Sequence, residues 1–154
     1  MKTFVTSDHH FGSWQTMLSW LKVFSHDEED EAVRTWNSIV KDGDLVYYLG
    51  DFHDCNAASA IECRKKLNGD IILVKGNHDI LPDAFYNAMF KDVLDEVKLD
   101  GVWLRHIPYD DGRKQIYGHL HRGSRKDPFM VENGFCACAS FHSFAPVEVD
   151  AIRI

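Results

Sequence analysis

Five short apolar runs punctuate the chain, and each ends in a residue able to bind metal. Residues 3–7 lead into Asp8-His9-His10, residues 45–49 into Gly50-Asp51, and residues 71–75 into Gly76-Asn77-His78-Asp79. Residues 102–105 lead into His106, and residues 115–117 into Gly118-His119-Leu120-His121. Runs of this length, rich in β-branched and aromatic side chains, read as strands. Between the first ones the pattern changes to helical spacing. Residues 14–24 are amphipathic. Ser25 and Glu28 form a capping box for a second helix, whose acidic first turn (residues 27–31) suits the helix dipole. Ala32, Val33, Trp36, Ile39 and Val40 make its buried stripe, and Asp42-Gly43 ends it. Asn56 opens a third helix that Asn68-Gly69 closes, and Pro82-Asp83 starts a short one reaching about Phe90. From there the chain reads as strands over 93–97, 102–106, 114–119, 135–140 and 147–152, with hairpin turns expected at Asp100-Gly101 and Asp111-Gly112.

The first half therefore alternates strand and helix, and the second reads as a meander. An α/β fold with two sheets face to face and helices outside accommodates both. Strands lying side by side in one direction would gather their carboxyl ends along one edge, where open α/β sheets place their sites.

Composition narrows this picture. A chain of 154 residues is expected to form one domain and to bury roughly 70% of its unfolded surface, so it can hold a core without disulfides. No apolar stretch has the length of a membrane span, and the opening residues do not resemble a secretion signal; a cytoplasmic protein is expected. The formal net charge of -7 and the scattered basic residues argue against long nucleic acid as a partner. Bound dications would offset that charge at a site, so a phosphate substrate is still admitted. Of the four cysteines, none fits a paired C-x-x-C zinc pattern. Cys136 and Cys138 would share one face of a strand and read as small core residues.

The motifs carry the chemistry. Asp8 and His10 are two apart, as are His119 and His121, so on extended chain each pair would point to one side. Gly50, Gly76 and Gly118 each precede a candidate ligand, where a sharp turn and close backbone approach are expected. Singly these signals are weak: D-x-H is common by chance, and a lone His106 is more often structural. G-N-H-D is expected in only about one chain of this length in a thousand. Asp, His and Asn without thiolate suit a hard-to-borderline divalent metal. His9 alternates away from the Asp8/His10 face and reads as packing or surface, and His26, His53 and His142 match no ligand position. Arg105 and Arg122 could meet a substrate phosphate but read better as surface arginines. Phe11, Trp14 and Trp20 could line a rim or pack.

In this order the motifs resemble those of the calcineurin-like metallophosphoesterases: D-x-H at Asp8-His10, G-D-x-x-D at Gly50-Asp54, G-N-H-D at Gly76-Asp79, a lone His106, and G-H-x-H at Gly118-His121. The resemblance implies a four-layer αββα sandwich, two mixed β-sheets flanked by helices, with the metal site at the strand carboxyl edge. It implies two divalent metals, manganese favoured, with zinc, iron or nickel as alternatives. Asp8, His10 and His121 would hold one metal, Asn77, His106 and His119 the other, and Asp51 would bridge them. Hydrolysis of a phosphate ester would proceed by in-line attack of a hydroxide held between the metals. His78 would protonate the leaving oxygen, oriented by Asp54, with Asp79 as the other candidate. Cys136 and Cys138 lie in a stretch, to Ser140, that departs from small family members, which often carry Asn and Asp at the positions of Cys136 and Ser140. A phosphodiesterase acting on a small molecule or nucleotide is favoured over a monoesterase or protein phosphatase, whose arginine after G-D-x-x-D is Cys55 here. A non-catalytic interaction module on the same fold is the alternative from another class. A metallo-β-lactamase-like hydrolase is disfavoured, since its H-x-H-x-D-H motif is missing.

Overall fold

In the computed structural model, the residues described are 1–12, 26–54, 57–121 and 131–154. The helix expected over 14–24, with Trp14 and Trp20, lies outside them, as do Ser25, Cys55, Asn56 and Arg122. Among the described residues, nine strands form two sheets. In the first, β1 (Thr3–Thr6), β2 (Leu45–Tyr48), β3 (Asp70–Val74) and β4 (Asp92–Leu94) run parallel in the order β4-β3-β2-β1, and β9 (Val147–Glu148) pairs antiparallel with β1. The crossovers between β1 and β4 carry α1 (His26–Ile39), α2 (Ala57–Lys66) and α3 (Asp83–Asn87). In the second sheet, β5 (Glu96–Leu99), β6 (Val102–Arg105), β7 (Gln115–Tyr117) and β8 (Gly134–Cys136) lie in sequence order.

Strand alternation divides the core in two. Phe4, Val46, Tyr48, Ile71 and Leu73 face the helices and meet Ala32, Val33 and Trp36 of α1, Cys63 of α2 and Tyr86 of α3. Val5, Leu49 and Val74 face the other way and meet Leu104, Ile116 and Ala137 of the second half. Successive side chains on a strand point to opposite faces, so one sheet with both faces covered joins the helical layer to the second sheet. The stripe expected on α1 is the one that is buried, with Trp36 and Val40 fully so.

The second half differs from the expected meander. Only β5 and β6 are antiparallel, turning at Asp100-Gly101; β6 with β7 and β7 with β8 are parallel. Asp111-Gly112 therefore does not close a hairpin but lies in a segment that carries the chain back to the start of β7. Antiparallel neighbours would have put His106 and His119 at opposite edges. Parallel pairing, with Arg105 opposite Tyr117, puts them at the same one. The run read as one strand over 93–97 is two, broken at Asp95, because β4 belongs to the first sheet and β5 to the second. The runs over 135–140 and 147–152 are each cut short by a 3-10 turn, Ala139–Phe141 and Val149–Ala151. Among the described residues, no helix is long and apolar enough to cross a membrane.

Candidate metal centre

The carboxyl ends of β1, β2, β3, β6 and β7 meet at one edge of the two sheets, and the candidate ligands sit just past them. They are not on extended chain. Asp8, His10, Asp51 and His119 have φ of 60°, 48°, 56° and 67°, in the left-handed region that Asp and His enter more readily than most residues. The same-side rule for alternate residues thus does not explain how Asp8 and His10 converge; the left-handed backbone bends do. Such residues persist where the surroundings over-determine them, and here the backbone is pinned: Asp8 N–H donates to Gly50 O (3.0 Å), His10 N–H to Asp51 O (3.2 Å), and His119 N–H to Asp8 Oδ2 (2.9 Å). Gly50 has a φ of 88°, and a Cβ there would lie 2.5 Å from His106 Nδ1, so both the turn and the approach of His106 require glycine.

Among the described residues three groups of side chains could each hold an ion: one is His10, Asp54 and His78, and the other two are built from the candidate ligands. The donor atoms of Asp8, His10 and His121 lie within 4.8 Å of one another, as do those of Asp51, His106 and His119. His10 Nε2 is 3.1 Å from His121 Nε2, and His121 Nε2 is 3.4 Å from Asp8 Oδ1. Asp51 Oδ2 stands between the groups, 3.6 Å from His10 Nε2 and 3.3 Å from His106 Nε2. Asn77 Oδ1 is 2.9 Å from His106 Nε2. All seven candidate ligands are therefore brought together.

The hydrogen bonds behind these atoms decide what faces inward. His106 Nδ1 donates to Leu49 O (2.8 Å), and His10 Nδ1 to Asp54 Oδ2 (2.8 Å). A neutral ring that donates from Nδ1 has a lone pair at Nε2. Two such lone pairs, Asp51 Oδ2 and the buried Asp8 Oδ1, which has no hydrogen-bond partner, converge on the same space. Electron pairs facing one another are unfavourable unless cations or protons lie between them. The titration of the residues reflects this. Burial by itself would lower the pKa of His106, but the Asp51 and Asp8 carboxylates raise it to about 9. Burial would raise that of Asp51, but His106 beside it brings it to about 2. His119 and His121 are lowered, mainly by burial, and so favour the neutral form that ligation needs. The donor set of imidazole, carboxylate and amide oxygen suits a first-row divalent metal.

Around the centre stand residues that position it. Asp54 touches two histidines: Oδ2 accepts from His10, and Oδ1 lies 2.7 Å from His78 Nδ1. The His78 side chain is 50% exposed. Asp79 does not reach His78. Its buried carboxylate accepts the N–H groups of Asp51 (2.8 Å), Phe52 (3.1 Å) and Gly76 (2.8 Å), tying the loop after β2 to the loop after β3. Leu49 O was not singled out from the sequence, and Cys138 was read there only as a small core residue. A backbone acceptor has no side-chain signal, and Cys138 Sγ, 3.6 Å from His121 Nδ1, is brought there by the isolated bridge between Ser7 and Cys138. Burial pushes the Cys138 thiol well above its ordinary value.

Other expectations sort themselves by burial. His9 is buried, with Nδ1 2.8 Å from Tyr48 Oη and Nε2 3.2 Å from Phe144 O, stacked on Phe11; Phe11 is core rather than rim. Arg105 is not a surface arginine. Its side chain is 4% exposed, paired with Glu96 (3.2 Å) and lying against the rings of Trp103 and Tyr109. Cys136 and Cys138 are not paired on a strand, since β8 ends at Cys136.

A model of the calcineurin-like phosphoesterases matches residues 1–143. An uncharacterized protein from Methanocaldococcus jannaschii is 35% identical over 88 residues, which cover 54% of this chain and 50% of that protein. The chain thus spans about half the length of that curated relative. A solved structure, a protein of unknown function from Aquifex aeolicus, superposes with a TM-score of 0.76 at 21% identity, covering 96% of this chain and 95% of that one. That likeness shows the fold.

Proposed function

The chain belongs to the calcineurin-like phosphoesterase family, and from that premise we propose that residues 1–154 act as one domain, a phosphodiesterase dependent on two divalent metal ions. Asp8, His10 and His121 would hold one ion, Asn77, His106 and His119 the other, with Asp51 shared. The observation that carries this reading is the convergence of the Nε2 atoms of His10 and His106 on Asp51 Oδ2, beside an Asp8 Oδ1 with no hydrogen-bond partner. Manganese is the favoured metal on a nitrogen and oxygen donor set.

Bound divalent ions supply positive charge to phosphate oxygens and lower the pKa of water. The protein's own groups do the rest. Asp54 Oδ1 stands 2.7 Å from His78 Nδ1 as an ion-pair partner, which leaves Nε2 as the nitrogen to pass a proton to the leaving oxygen. Because Asp54 also holds His10, ligand placement and proton delivery share one carboxylate. Asp79 fixes Asp51 and Gly76 relative to one another through their amides. Diester preference is supported by a cavity of about 270 Å3 lined in part by Asn77 and His106, which leaves room for a second ester substituent beside the phosphate. A small substrate is supported by the net charge of -7.

The test is metal add-back. Protein stripped of metal and given Mn²⁺, Zn²⁺, Ni²⁺ or Mg²⁺ is assayed on bis-p-nitrophenyl phosphate and p-nitrophenyl phosphate. Turnover restored by metal, fastest with Mn²⁺ and greater on the diester, is expected. No metal-dependent turnover of either substrate would overturn the reading.

A further inference from the structure

Tyr109 is an exposed aromatic residue that is held as firmly as a buried one. The residue is 56% exposed, yet its backbone is gripped on both sides by Gln115, which has no exposure at all. Gln115 Nε2 donates to Tyr109 O (2.6 Å), and Tyr109 N–H donates to Gln115 Oε1 (3.1 Å). The Arg105 guanidinium lies 4.7 Å from the centre of the Tyr109 ring and 5.1 Å from that of Trp103, itself held by Glu96. A buried cation thus lies against the ring, and a buried amide holds the backbone that carries it. Fixing a group in advance lowers the ordering cost of binding something to it.

Its position gives the bracing a use. Tyr109 and Ile107, also exposed at 45%, line the same cavity of about 270 Å3 as Asn77 and His106. The remaining wall carries the exposed carboxylate of Asp95 and the ion pair of Glu96 with Arg105. Lys75 reaches the cavity too, but its ammonium is engaged by Asp83 at 2.7 Å. The lining therefore offers a flat π face and, in Asp95, a carboxylate that accepts hydroxyl hydrogens and repels further phosphate groups. A nucleoside has the matching chemistry: a flat base, hydroxyls on the sugar, and no charge of its own.

We propose that this cavity receives the nucleoside portion of a nucleotide phosphodiester, its base stacked on Tyr109, with Arg105 and Gln115 as positioning residues for that ring. The proposal rests on the phosphodiesterase reading, since that reading puts the phosphate beside Asn77 and His106.

Titration calorimetry on the manganese-loaded protein, with adenosine 5′-monophosphate and ribose 5-phosphate as probes, tests it. Stacking on an aromatic side chain should make the adenosine compound bind about tenfold more tightly. Tyr109→Ala should remove that preference while leaving ribose 5-phosphate affinity and thermal midpoint unchanged, and Tyr109→Trp should keep it. Equal affinities in the unaltered protein, no binding of either probe, or a preference that survives Tyr109→Ala would overturn the proposal. The two readings fail separately. A base preference without hydrolysis of any diester counts against the enzyme reading alone. Metal-dependent hydrolysis of bis-p-nitrophenyl phosphate without a base preference counts against the nucleoside cavity alone.

Discussion

Replacing Asp79 should destabilise the protein before any metal is involved. Its carboxylate accepts three amides, those of Asp51, Phe52 and Gly76. Asp51 and Phe52 are 1% and 0% exposed, so in Asp79→Ala two amides lose their acceptor with no water to replace it. Each such orphaned donor costs about 1–3 kcal/mol, which brackets the loss at about 2–6 kcal/mol. Burial of the carboxylate works against it: desolvation raises the pKa of Asp79 even with three amides holding it down. That offset places the expected loss in the lower half, about 2–4 kcal/mol. Asp79→Asn keeps one oxygen, and Oδ2 alone serves Asp51 and Gly76, so its loss should be nearer 1–2 kcal/mol. Urea unfolding of the metal-free proteins measures this as a lower midpoint at unchanged slope. A metal-free Asp79→Ala within about 0.5 kcal/mol of the unaltered protein, the ordinary range for an inconsequential surface change, would refute the clamp.

Four further outcomes follow from the geometry. Asp51→Asn should lose both metal and hydrolysis, read by metal analysis and diester assay; full metal content would show that Asp51 is not shared between the ions. His78→Ala should retain metal and lose activity by roughly 10²–10⁴-fold, the usual contribution of a positioned proton donor; loss of metal instead would make His78 a ligand. Burial lowers the pKa of His9 from 6.5 to about 4, so between these values the unfolded chain binds a proton that the folded one refuses. Stability should therefore fall as pH drops from about 6.5 towards 4, by roughly 3 kcal/mol in total, and His9→Gln should flatten that slope in pH-dependent denaturation. Gly118→Ala would put a Cβ 2.6 Å from Asp8 Oδ2 and Ser7 Oγ; it should cost about 1–3 kcal/mol by overpacking and weaken metal retention on dialysis.

What could be read from the chain was what local pattern encodes. The apolar runs gave β1, β2, β3, β6 and β7, and the spacing of Ala32, Val33 and Trp36 gave the buried face of α1. The motifs assembled the residues of the centre, because glycine and ligand sit side by side in sequence. Long-range pairing was not legible. Nothing local distinguishes the antiparallel turn at Asp100-Gly101 from the returning segment at Asp111-Gly112, as both are good turn dipeptides; which strand β6 pairs with, and in which direction, is settled by the interior face it shares with β7. Arg105 follows the same logic. A charged residue ending a strand reads as exposed until the loop that folds over it, with Tyr109, is known. The left-handed bends at Asp8 and His10 are likewise invisible, since neither residue demands them.

The pair Asp8 and His119 is joined by a hydrogen bond across 111 positions of sequence, and His10 meets His121 across the same separation. Contacts this distant close large loops, and the entropy of closure is lost before the contact returns anything. The binding edge should thus be among the last parts of the molecule to form on folding and among the first to open. Its occupancy then reports on the whole chain. A molecule with the first sheet built but the second undocked has Asp8, His10, Asp51 and Asn77 and lacks His106, His119 and His121, so neither the Asp8, His10, His121 group nor the Asp51, His106, His119 group is complete. On the two-metal reading proposed above, metal uptake would double as a proof of completed folding, and a half-made chain would be chemically silent.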